Sequence, residues 1–125
     1  MKGFRSMKSE YGNHTKDKVI YSLYAILFDL GLSPSNKGTI YLKELIEYII
    51  FNHLYDHAYK EILEQFAEEN NYDLRKLQSN IKNAIYRLDT SKAEKNFEKY
   101  FSIEFDTYYL SPNKFVSLIV LILRS

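Results

Sequence analysis

Residues 59–88 read YKEILEQFAEENNYDLRKLQSNIKNAIYRL, two helical patterns joined by a turn of a few residues. A chain that carries such a pair has few folds open to it. In the first pattern Ile62, Leu63, Phe66 and Ala67 share one face, and Ala67 is small enough for a second helix to cross close by. Asn71 stands at the corner, and asparagine tolerates left-handed backbone angles better than other non-glycine residues. Asp73 then offers a side-chain oxygen to the orphan amides of the second helix, whose apolar stripe is Leu74, Leu77, Ile81, Ala84, Ile85 and Leu88. Its remaining surface is Arg75, Lys76, Gln78, Ser79, Lys82 and Asn83, side chains that bond base edges or neutralise phosphates. The spacing predicts a helix-turn-helix whose second helix is shaped to enter a major groove, with Asp73, Arg75, Lys76, Gln78, Ser79, Lys82 and Asn83 as candidate DNA-binding residues. Two helices of a small bundle with a solvated polar face fit the same pattern, so spacing alone leaves both readings open.

Helical periodicity continues on either side. Val19, Ile20, Leu23, Ile26, Leu27 and Leu30 mark a first helix that Gly31 stops as a C-cap. The linker over 32–38 cannot continue it, and a second helix follows with Ile40, Leu45, Ile46, Ile49 and Ile50 inward. A short segment around His53 and His57 leads into the paired helices. Beyond them Thr90 or Ser91 can cap a helix holding Ala93, Phe97, Tyr100 and Phe101, and Ser111-Pro112 signals the start of a last helix. Residues 102–110 read as a loop with some extended backbone. The expected fold is all-α, a compact bundle of about six helices containing the helix-turn-helix, with a flexible polar arm over 1–16 and the domain over 17–125. A length of 125 residues with 46% hydrophobic content suits one such domain.

Charge and composition exclude several classes. The net charge of +1 is too small for a purely electrostatic nucleic-acid binder, but it is unevenly spread. Residues 71–100 carry seven basic and four acidic side chains, whereas 41–70 carry two and seven, so the acidic middle should face away from DNA. The absence of cysteine removes disulfides, thiolate zinc sites and thiol catalysis, and suits a reducing cytoplasm. The first eighteen residues hold no apolar stretch of a signal peptide, and the apolar run over 116–123 is too short to span a bilayer. His53 and His57, four apart, have the spacing of a two-histidine clamp but lack a third ligand and the HExxH glutamate. Carboxylate pairs such as Glu61 with Glu64 sit on a solvated helix face, and no glycine-rich phosphate loop exists. No enzyme, cofactor, membrane partner or small-molecule substrate is expected; the expected location is cytoplasmic.

Three local strings carry a family resemblance. Leu30-Gly31 is followed by Lys37-Gly38-Thr39-Ile40-Tyr41-Leu42-Lys43-Glu44; Phe66-Ala67 is followed by Asn71 and by Ile81-Lys82-Asn83-Ala84-Ile85; and Ser111-Pro112-Asn113-Lys114-Phe115 opens the last helix. Together, over about residues 18–125, these resemble the C-terminal DNA-binding effector domain of the master sporulation response regulator, the stage-zero sporulation protein A family. The resemblance implies a six-helix all-α domain that binds double-stranded DNA, as a homodimer or as tandem copies. Where that family carries Arg-Val-Glu-Arg on its recognition helix, this chain has Lys76-Leu77-Gln78-Ser79, so an acidic and a basic base reader are replaced by an amide and a hydroxyl. Glutamine favours adenine where arginine favours guanine, and the preferred sequence should differ accordingly. Glu68-Glu69 stand where the family has two lysines, which should weaken phosphate contact there. No receiver domain is read in the chain, so either a domain cut from a longer regulator or a stand-alone relative outside direct phosphorelay control is expected. The other expectation is a degenerate paralogue that pairs with or antagonises a full-length regulator through its apolar last helix.

Overall fold

Helical periodicity becomes six helices in the computed structural model: α1 (Lys2–Asp29), α2 (Lys37–Phe51), α3 (Tyr59–Asn70), α4 (Leu74–Tyr86), α5 (Thr90–Phe101) and α6 (Pro112–Arg124). One 3-10 turn, Thr107–Leu110, precedes α6. The structure describes the backbone of residues 2–124 and the side chains of residues 16–124; no strand occurs among them. The fold is all-α, as expected. The side chains of residues 1–15, to which the expectation of a flexible arm applies, lie outside the described residues, and the backbone of α1 is helical from Lys2, ahead of the Val19 start that periodicity marks.

The centre of the bundle is α2, which packs against α1, α3, α4 and α6. Every residue over 45–51 is buried, including Glu47. Two turns apolar nearly all round demand neighbours on all sides, and this is why α2 takes the middle.

Local chemistry sets the helix ends. At the end of α1, Gly31 adopts φ +93°, its N–H donates to the Phe28 carbonyl (3.0 Å), and Leu32 N–H donates to Leu27 (3.1 Å). This double bond pattern uses the last carbonyls of the helix and favours glycine at the left-handed position. Gly31 also accepts from Asp89 N–H at 2.9 Å, tying the end of α1 to the start of α5. Asn36 opens α2 by accepting from Gly38 N–H (2.8 Å).

Four expectations are corrected. Lys37 and Gly38 belong to the first turn of α2 rather than to the linker. Ile40 is 48% exposed, not inward. Gly38, Thr39 and Leu42 face inward, and Ile40, two residues from both Gly38 and Leu42, lies roughly 200° round the helix from each. The cap of α5 is Asp89, which accepts from Ser91 N–H (3.0 Å) and Lys92 N–H (3.3 Å), leaving Thr90 inside the helix. Finally, the stretch before α6 closes into its 3-10 turn because Asp106 accepts from Tyr108 N–H at 2.8 Å.

Tyrosine–carboxylate bonds tie helix to helix. Tyr48 of α2 donates to Glu69 of α3, Tyr72 of the corner donates to Glu44 of α2 (3.0 Å), and Tyr100 of α5 donates to Asp29 of α1. Burial, helped by those carboxylates, pushes the Tyr72 and Tyr100 phenols up to about 12, and burial alone does the same to Tyr59. The folded state thus favours the neutral phenol more than the unfolded chain does, whose tyrosines ionise near their ordinary value of 10. Stability should be intact below pH 10 and fall as pH rises toward 12. Circular dichroism followed alongside residue-resolved NMR of the tyrosine rings should show ionisation of Tyr59, Tyr72 and Tyr100 coinciding with loss of helix; ionisation of these three rings near pH 10 with the fold intact would contradict it.

Candidate nucleic-acid interface

The corner between α3 and α4 is built as its residues suggest. Asn71 is left-handed (φ 57°, ψ 41°), with its N–H on the Glu68 carbonyl (3.2 Å) and Tyr72 N–H on Ala67 (2.8 Å). Asp73 follows with an extended backbone, and its carboxylate accepts from Lys76 N–H at 3.1 Å. Asp73 therefore serves as the N-cap of α4 through one carboxylate oxygen.

The stripe of α4 is inward: Leu77, Ile81, Ala84, Ile85 and, just beyond the helix, Leu88 are buried, and Leu74 is half-buried. What fixes the helix in place is its contact with α2. Gly38 lies against the backbone of Asn80 and the methyl of Ala84, so close that a Cβ there would come within 2.7 Å of Ala84 Cβ and nearer still to the Asn80 carbonyl oxygen.

Arg75, Lys76, Gln78, Ser79, Lys82 and Asn83 are all exposed on the outward side of α4, with Asp73 exposed at its start. Among the described residues no carboxylate forms an ion pair with Arg75, Lys76 or Lys82. Asn80, between them, turns back and donates to the Lys76 carbonyl (2.8 Å). The sequence reading missed Tyr86, 73% exposed, whose ring lies 5.9 Å from Lys82 Nζ. The i, i+4 spacing of Lys82 and Tyr86 was the available signal. An exposed aromatic beside a lysine adds a stacking or sugar-contact surface to a basic face.

The acidic pair on α3 has a different use from the one the sequence suggests. Both carboxylates are exposed, but Glu69 also accepts from the Tyr48 hydroxyl and so ties α2 to α3. His53 and His57 do not share a helix: α2 ends before them, and His53 is left-handed (φ 53°). Among the described residues no group of three or more histidine or acidic side chains is placed to hold a metal. A cleft of about 220 Å³ between the 52–58 segment and α6 is lined by aliphatic side chains mixed with aromatic and polar ones, with Arg124 stacked 3.9 Å over the Tyr55 ring at its edge. Among the described residues no helix is long and apolar enough to cross a membrane.

The chain is thus an all-α domain with one exposed, basic and amide-rich helix face beside a tight corner. No family model, curated protein or solved structure matches it.

Proposed function

We propose that this chain is a sequence-specific DNA-binding domain of a transcription factor, of the kind that the sporulation-regulator resemblance implies. The carrying observation is the outward face of α4, where two cations at positions 76 and 82 flank an amide and a hydroxyl at 78 and 79, all exposed. Phosphate contacts position a protein on the duplex and base contacts specify the sequence, and this face holds both chemistries on one rigid helix. In this reading Gln78 and Ser79 address base edges in the major groove, and Lys76 and Lys82 address the phosphates that border it. Arg75 and Asn83 extend the face, and Asp73 acts by setting where the helix begins.

Selection from a random-sequence duplex pool, at low and then physiological salt, tests the reading, because a sequence reader retains a defined subset at both. Lys82→Ala should weaken binding about equally on the selected and random duplexes and reduce the salt slope by about 0.9. Gln78→Ala should instead erode discrimination at one base pair by roughly 1–3 kcal/mol for a bidentate contact, with random-duplex affinity nearly intact. Two folded variants that are silent on every duplex would remove α4 from the role.

A second reading, association through the last helix, draws on Leu121, which α6 leaves 58% exposed. An empty duplex selection together with a dimer that Leu121→Glu dissociates would favour it.

A further inference from the structure

We infer that the cleft between the 52–58 segment, α3 and α6 binds a small monocarboxylic acid with an unbranched aliphatic body, its carboxylate on Arg124 and its chain along α6. Occupancy of this cleft is independent of the DNA-binding reading. One face of α6 gives the cleft its length: Asn113, Val116, Ser117, Val120, Leu121 and Arg124 all line it, spaced so that they share a side of the helix from the first turn to the last. At 1.5 Å of rise per residue, Val116 and Arg124 stand about 12 Å apart along the axis.

Between those two residues the surface is aliphatic. Val116 and Val120 meet Ile49 of α2 and Ile62 of α3, four side chains that are otherwise buried. At the first-turn end the Ser117 hydroxyl and the Asn113 side-chain oxygen bond each other at 3.4 Å, which leaves Arg124 as the cation of the site. The volume of about 220 Å³ falls below the roughly 300–1,000 Å³ of sites for drug-sized ligands, so the occupant is small. A space of that volume drawn out along two turns of helix suits a chain better than a compact ring.

The opposite wall is set before any ligand arrives. Leu54 N–H donates to the Ile49 carbonyl (3.0 Å), His57 N–H to that of Leu54 (3.2 Å), and the Tyr55 hydroxyl to that of Ile50 (3.3 Å). The Tyr55 ring so held is the platform for Arg124, whose guanidinium carbon lies 3.9 Å from the ring centre. Stacking uses a face of the guanidinium and leaves its N–H groups, which lie in its plane, for an acceptor. No described residue supplies that acceptor: Arg124 forms no ion pair with any of them, and no aspartate or glutamate lines the cleft, Asp56 standing outside it between two residues that do. A carboxylate matches the planar fork with two oxygens, and an attached chain covers the aliphatic surface beside it. Both walls are fixed in advance, so little ordering cost falls on binding.

The test titrates octanoate into the full chain and follows side-chain methyls by NMR, with octanol as the uncharged probe and butyrate as the short one. Octanoate should give saturable shifts at Ile49, Ile62, Val116 and Val120 and none at Leu74 of α4. Octanol and butyrate should each bind several-fold more weakly, the first for want of charge and the second for want of chain. Arg124→Gln keeps a planar amide near Tyr55 but removes the charge, and since Arg124 is exposed the variant should melt close to the parent. It should weaken octanoate about tenfold, the lower end for a charge-assisted bond, and leave octanol unchanged. Absent or unsaturable shifts, shifts that extend to Leu74, or octanol or butyrate binding as tightly as octanoate would overturn the site, and these comparisons in the parent need no variant. Octanoate binding by folded Arg124→Gln as tight as the parent's would overturn it too. No arm of this experiment contains DNA, so its failure leaves the DNA-binding reading standing.

Discussion

Gly38→Ala should destabilise the fold by roughly 3 kcal/mol or more, the upper range for forcing extra atoms into a packed interior, although alanine is the better helix former. Two effects of opposite sign compete at this position. Replacing a helical glycine by alanine gains at most about 1 kcal/mol in backbone propensity, and less in a first turn. The added methyl, however, would meet the backbone of α4 at Asn80 and the Ala84 methyl at 2.7 Å. A carbonyl within a continuous helix cannot step aside, so α4 must move as a body or α2 must unwind its first turn. Ile40→Ala, two residues on and 48% exposed, is the matched control and should change stability by less than about 0.5 kcal/mol. Equilibrium denaturation of both variants decides the point. A Gly38→Ala protein as stable as Ile40→Ala would show that the two helices do not approach as closely as described. Because the same contact orients α4, residual folded Gly38→Ala should also bind duplex DNA more weakly, if α4 is the reading helix.

The contrast between Gly38 and Asn71 shows what was legible in the sequence. Asn71, Asp73 and Gly31 act as caps through their own backbone angles and through bonds to residues at most five positions away, so the local string announces that role, although not the further bond of Gly31 to Asp89. The stripe of α4 is equally plain, since one periodic segment declares which side is buried, and the exposure of the candidate reading residues follows. Gly38 has no positive φ to betray it; its purpose is the approach of a helix more than forty residues away, and a glycine next to a linker reads as part of the linker. Three successive residues, Asp89, Thr90 and Ser91, can each cap a helix, and which one does so is settled by the bond from Asp89 N–H to Gly31. The tyrosine–carboxylate ties span 21, 28 and 71 positions, beyond any local pattern.

Phe66→Ala should cost roughly 3–5 kcal/mol, as expected for emptying a fully enclosed aromatic site. Phe66 has no exposed surface, and its ring lies 5.3 Å from that of Tyr48 and 5.8 Å from that of Tyr72. Its loss therefore does more than leave a void. Tyr48 and Tyr72 are the two tyrosines whose hydroxyls hold Glu69 and Glu44, so the ring of Phe66 backs both ties between α2 and the α3–α4 corner. With that backing gone the tyrosines can follow the cavity inward, lengthening the bonds that keep Tyr72 beside Asn71. Phe66→Leu separates the two contributions: it refills much of the volume but offers no aromatic edge, and should cost distinctly less than the alanine variant. Thermal melts should order the proteins parent, Phe66→Leu, Phe66→Ala, with the last lowered by about 10 °C or more. If the alanine variant melted within a degree or two of the parent, the junction of α2, α3 and the corner would not depend on this ring. The orientation of α4 would then rest on its other contacts, with α6 and along α2 at Gly38.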